Sequence, residues 1–144
     1  MARTDRPAVV VPDGPPPGEL VVEDLEQGSG AEAISGTTVT VNYVGVAWST
    51  RAEFDSSWGR GEPFSFRLGK AQVIRGWEQG LLGMREGGRR RLVIPPHLAY
   101  GSSGSGLFIK PNESLVFVID LITVAEESSD GFRSSRLRRL FGGR

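Results

Sequence analysis

The sequence predicts an α+β fold: an antiparallel β-sheet of about five strands wrapped around one short α-helix. Two observations carry this. Apolar and polar residues alternate with a period of two in several short runs separated by glycine and proline. One stretch only, residues 74–84, changes to the helical period, with Ile74, Trp77, Leu81 and Met84 three, four and three apart.

The elements follow in order. Residues 1–18 are rich in proline and read as an extended, poorly packed arm. ELVVEDL, residues 19–25, reads as a first strand, and Gly28 to Gly30 as a loop. TTVTVNYVGV at 37–46 is the clearest strand, setting Val39, Val41 and Tyr43 against Thr38, Thr40 and Asn42. A turn-rich stretch runs from Ala47 to Pro63. Phe64, Phe66 and Leu68 then alternate with Ser65 and Arg67 as another strand. The helical stripe comes next, and Gly87 and Gly88 are expected to end it. RRRLVI at 89–94 is a strand stopped by Pro95 and Pro96. The loop 101–114, with Gly101, Gly104, Gly106 and Pro111, is expected to be mobile. LVFVIDLITV at 115–124 is apolar on both faces except for Asp120, the pattern of a central strand covered on both sides. The domain therefore spans 19–125. Residues 126–144 read as a basic, disordered tail, with five Arg and no acid after Asp130 and with Leu137, Leu140 and Phe141 on one possible helical face.

Composition narrows the chemistry. A 144-residue chain, 38% hydrophobic, is long enough for one packed core, and its formal net charge of zero makes it no electrostatic nucleic-acid binder as a whole. It has no cysteine, which removes disulfides, thiolate nucleophiles and cysteine-ligated metals and suits a reducing compartment. The single histidine, His97, excludes multi-histidine metal sites. The N-terminal apolar run, Ala8 to Val11, is too short for a signal peptide, and no stretch approaches the ~20 apolar residues of a membrane span. A cytoplasmic protein is expected, with a monomer as the default.

His97, in IPPHLAYG, reads as a loop residue packed beside Tyr100 rather than as a general base, and no GxSxG elbow accompanies it. GSSGSG at 101–106 lacks the Lys-Ser/Thr and the following helix of a phosphate loop. Asp55 reads as an Asx turn and as a polar group at the rim of an aromatic pocket, two roles that are compatible. Tyr43, Phe54, Phe64, Phe66, Trp77, Tyr100, Phe108 and Phe117 form an excess of rings around short turns. They fit a core, the preferred reading for Phe66, or an apolar pocket with a few polar handles, and periodicity alone does not separate the two.

Five stretches together resemble the FKBP family of prolyl isomerases: VNYVG at 41–45, EFDSSWGRGEPFSFRLG at 53–69, QVIRGWEQGLLGM at 72–84, RLVIPPHLAYG at 91–101 and GLFIKPNESLVFVIDL at 106–121. The arm with ELVVEDL and VGVAWST looks like the single-domain bacterial members, actinobacterial ones in particular. The resemblance implies a cofactor-free peptidyl-prolyl cis-trans isomerase that assists protein folding. It implies aromatic walls at Tyr43, Phe54, Phe64 and Phe117, with Trp77 as the floor under the proline ring. Val73 and Ile74 look like the rim, with the Ile74 amide as a donor. Tyr100 looks like the hydroxyl donor, Asp55 like the polar rim group, and Ile109 like the loop residue that closes over the substrate. Trp58 is expected to add a ring at the rim. Implied partners are proline-containing peptides, unfolded proteins and macrolides such as tacrolimus and rapamycin. Nucleic acid is expected only through the basic tail. The loop departs from the family pattern at Ser105 to Phe108, which bears on sequence preference. The alternative is a non-catalytic proline-peptide-binding or chaperone-like module.

Overall fold

The computed structural model describes residues 5–126; the basic-tail reading falls on residues 127–144, outside that range. The strands are β1 (Val21–Glu26), β2 (Thr38–Ala47), β3 (Glu53–Ser56), β4 (Phe64–Arg67), β5 (Arg89–Ile94) and β6 (Leu115–Ala125), and the helices α1 (Ser57–Arg60) and α2 (Arg75–Gly80). All strand pairs are antiparallel, in the order β1-β5-β6-β2-β3, with β4 also on β2. The expected class holds, with six strands in the described residues where about five were read from the pattern.

The sixth strand, β3, lies in the stretch read as turns. It is four residues long, has no clean alternation, and leads straight into α1, where the Ser56 hydroxyl accepts from the Gly59 amide as an N-cap. β6 is the central strand its sequence predicts, buried from Leu115 to Leu121 between β5 and β2. The polar exception, Asp120, is buried and receives two bonds from Arg89, Nε at 2.6 Å and Nη2 at 2.9 Å. β1 is an exposed edge strand whose Glu23 and Asp24 pair with Arg91 and Arg90 of β5.

The helix is shorter than the apolar stripe. α2 stops at Gly80, and Gly83 follows at φ 84°, outside helical geometry. The helix glycines lie close on β5, where a Cβ on Gly76 would be 2.4 Å from Ile94 and one on Gly80 2.8 Å from Leu92. Leu81 and Met84 stay in the core through turns instead, the Leu81 amide donating to Trp77 and the Met84 amide to Leu81. The stripe had the right residues buried but the wrong backbone at its end.

The arm is extended and mostly exposed, as read, but it is anchored at two buried residues, Pro7 and Val11. Val11 is buried with Val44, Val46, Trp48, Val93 and Val116 on the outer face of the sheet. The opposite, inner face carries the larger cluster, with Val39, Val41, Phe66, Leu92, Ile94, Leu115, Ile119 and the side chains of α2. No helix among the described residues is long and apolar enough to cross a membrane.

Candidate functional site

The pocket opens where the edge of β2 changes partners. Thr38 to Val41 pair with β4, and Val44 to Val46 pair with β3, so Asn42 and Tyr43 face a gap in the ladder. Ser57 fills the backbone side of this gap: its hydroxyl accepts from the Tyr43 amide at 2.8 Å and bonds the Asn42 amide oxygen at 2.8 Å. On the inner side the Tyr43 ring is left between β3 and β4. Phe54 and Asp55 come from β3, Phe64 from β4, and Phe117 from β6. α2 and its lead-in supply Val73, Ile74 and Trp77, and the segment after β5 supplies Tyr100.

These residues, with Gln72, line one hollow of about 210 Å³. Trp77 lies buried at its centre. Tyr43 and Phe117 meet it edge to face with centroids 5.0 and 5.3 Å away, and Phe66 and Phe64 follow at 5.6 and 6.2 Å. Phe54 meets Phe117 edge to face at 5.6 Å. Edge-to-face pairs hold ring planes apart, so this packing keeps walls and floor distinct. Ile74 is the N-cap of α2 with no side-chain cap, and its amide donates to no other described residue. An unengaged amide at the lip of a hollow is an available donor.

The polar side of the hollow is a three-member cluster. The Tyr43 hydroxyl donates to Asp55 Oδ2 at 2.6 Å, Arg60 donates to Asp55 Oδ1, and Arg60 Nη2 donates to the Tyr43 hydroxyl at 2.9 Å. The Ser56 amide also donates to Asp55 Oδ1, at 2.8 Å, a bond to the next residue and not the i+2 bond of the Asx turn expected from the sequence. Burial, with the bond to Asp55, pushes the Tyr43 phenol up to about 12, while Arg60 opposes the shift. Burial and then the Asp55 charge raise the Tyr100 phenol. Both phenols therefore stay protonated at neutral pH; Tyr43 donates to Asp55, and the Tyr100 hydroxyl has a proton to donate.

The structure brings together Tyr43, Phe54, Asp55, Phe64, Val73, Ile74, Trp77, Tyr100 and Phe117. It does not bring Ile109 to the lining. Ile109 is buried in the core cluster, pinned by its two backbone bonds with Ser105, while Leu107 and Phe108 stand 91% and 62% exposed at the loop tip. Trp58 is not at the rim either: it packs against the outer-face cluster, because α1 turns its side chain behind the sheet. Phe66 is core, as read. His97 is exposed and offers its backbone oxygen to Arg75. Two site residues were missed. Gln72 carries no pattern of its own. Arg60 is five residues beyond Asp55, and only the single turn of α1 folds it back onto that carboxylate. Among the described residues no group of three or more His, Asp or Glu is placed to hold a metal ion.

Residues 30–122 match the profile of the family described as FKBP-type peptidyl-prolyl cis-trans isomerase. The chain belongs to that family. It is 54% identical over 121 residues to an FK506-binding protein of Streptomyces anulatus, covering 83% of this chain and 98% of that protein. It is 49% identical over 119 residues to a probable FK506-binding protein of Corynebacterium glutamicum, with 83% and 98% covered. Among solved structures, the crystal structure of AtFKBP13 superposes with a TM-score of 0.69 at 40% identity, covering 74% of this chain and 93% of that one. FkpA from Escherichia coli gives 0.68 at 46% identity, over 74% of this chain and 48% of that chain. FKBP membership supports peptidyl-prolyl cis-trans isomerase activity.

Proposed function

We propose that the ring-lined hollow is the place where an Xaa-Pro bond is turned, with the proline ring on Trp77 between Tyr43, Phe64 and Phe117. The observation that carries this reading is the convergence of four rings from β2, β4, α2 and β6 on one open apolar hollow with phenol and amide donors at its lip.

Rotation about a prolyl amide is opposed by roughly 20 kcal/mol of lost C–N conjugation and needs no proton transfer to a side chain. The planar amide is polar and well hydrated. The twisted transition state has less conjugation and a smaller carbonyl dipole. A hollow that strips water from the bond disfavours the planar form more than the twisted one, which is differential binding of the transition state. The Ile74 amide and the Tyr100 hydroxyl hold the flanking carbonyls. The bond from Tyr43 and the ion pair with Arg60 fix Asp55, which stays at the rim as a polar contact.

The same reading extends to a role in assisting the folding of proline-containing chains, in a reducing, cytoplasmic setting that suits a sequence without cysteine. Tacrolimus-type macrolides are proposed ligands of the hollow, since curated relatives are named for FK506 binding. The test is turnover of short Xaa-Pro peptides with and without tacrolimus, alongside the change in tryptophan fluorescence on binding. Turnover that the macrolide suppresses is expected. Saturable peptide binding with no turnover would instead establish the non-catalytic binding module.

A further inference from the structure

The N-terminal arm is tied to the rest of the chain at an informative place. We propose that residues 5–14 position the Phe54–Asp55 wall of the pocket by clamping the turn that precedes β3 from the outer face of the sheet. This rests on the reading of the hollow as the prolyl site.

The turn between β2 and β3, residues 48–52, is held on two sides. From the arm, the Gly14 carbonyl accepts from Trp48 Nε1 at 3.1 Å. Arg51 Nη2 donates to the Pro12 carbonyl at 3.3 Å and to Asp13 Oδ1 at 3.1 Å, and Arg6 pairs with Glu53 at the first position of β3. From the other side, the buried Glu113 carboxylate accepts from the Ser49 amide at 2.8 Å and from its hydroxyl at 2.6 Å.

The turn needs such support. Arg51 sits at φ 60°, a conformation a non-glycine residue keeps only when its surroundings impose it. β3 is weak on its own account: four residues, three paired positions, and a register shift between Gly45 and Val46. Where the turn sits therefore sets where β3 sits. Phe54 and Asp55 are the next residues along the chain, one packing its ring on Phe117 and the other accepting from the Tyr43 hydroxyl. A displacement of the turn by an ångström moves both against Trp77 and Phe117, and misplacement on that scale is costly for binding. The arm also grips β5, where Arg91 donates to the Val10 carbonyl at 3.2 Å. That contact does not touch the turn, so it serves as an internal control.

The experiment compares full-length W48F, R51A and the W48F/R51A pair with R91A. W48F keeps an aromatic side chain in the outer-face cluster, though a smaller one, and removes the Nε1 donor. KM and kcat are measured on an Xaa-Pro peptide, and amide hydrogen exchange is followed at Glu53–Ser56. The pair is expected to raise KM about three- to tenfold with kcat within about twofold, because binding geometry and not the chemistry is altered. Exchange at Glu53–Ser56 should rise about tenfold in the pair and stay unchanged in R91A, and R51K should restore part of both effects. Should W48F fold poorly, R51A alone carries the comparison. The proposal is overturned if R91A matches the turn variants, or if the turn variants leave both KM and exchange unmoved. If the parent protein turns over no peptide, the prolyl reading fails while exchange still decides the clamp.

Discussion

The two faces of the sheet are built on the same strands and end differently. On the inner face, α2 has six residues and is about 9 Å long, whereas the eleven-residue β6 beneath it extends about 36 Å. The helix covers only part of that face. The rings at its margin pack edge to face around Trp77 and leave the hollow. On the outer face the cover is an extended arm, and ten residues at about 3.3 Å each span most of β6. Valines line that face, and Arg51, Arg91 and Trp48 hold the arm by its carbonyls. A short helix on a wide sheet leaves a hollow walled by rings, while an extended arm on the same sheet is anchored at a few points and leaves an open cleft of about 370 Å³ beside Ala8, Val10 and Pro12, with few rings to line it.

The sharpest way to break that contrast is Trp77→Ala, which removes the centre of the inner ring cluster. It is expected to cost about 3–5 kcal/mol of stability, read by urea unfolding, with a steep fall in kcat/KM. Asp120→Ala attacks the outer face by leaving the Arg89 guanidinium without its buried carboxylate, at a cost of about 3 kcal/mol. Its KM should not move, since Asp120 neither lines the hollow nor contacts the turn before β3; a raised KM would show that the outer face reaches the hollow by a route other than that turn.

Smaller effects refine the inner face. Tyr100 is 40% exposed, so Tyr100→Phe should leave stability within about 0.5 kcal/mol and lower kcat/KM several-fold through one lost donor. Abolished activity in a folded Tyr100→Phe would make that hydroxyl a chemical participant instead of an orienting one. The smallest change expected is none at all: kcat/KM flat between about pH 6 and 8, because proton transfer plays no part in the rotation and both phenols remain neutral there. At high pH a loss should appear. Tyr43 has a folded pKa of about 12, above the ordinary value near 10. Its contribution to stability is complete below pH about 10 and disappears as pH climbs through about 12. Urea midpoints across that range for the parent and Tyr43→Phe give the comparison, with the parent showing the greater loss.

Much of this was legible in the chain. Alternation in β2 states which of its residues face inward, and the doubly apolar β6 states that it is central, because side-chain period and burial are local properties. The motifs around Phe54, Trp77 and Tyr100 name the pocket set through family resemblance. The end of α2 was not legible, since Leu81 and Met84 keep a helical spacing while the backbone between them leaves helical geometry at Gly83. Arg60 and Gln72 were missed because their roles depend on a turn bringing them back. Trp58 was misplaced because one helical turn decided which way it points, and the burial of Ile109 in the cluster of Tyr43, Trp77 and Phe117 follows from the loop's bonds to Ser105, which no local period encodes.

What the sequence determined by itself is the strand and helix periods, the burial of the rings and the absence of thiol chemistry, all of which follow from residue type and near-neighbour spacing. Only the tertiary structure decided that residues from 43 to 117 meet in one hollow and that a proline-rich arm is anchored across the opposite face. Both depend on which edges pair and on side chains reaching distant carbonyls, and no local period encodes either.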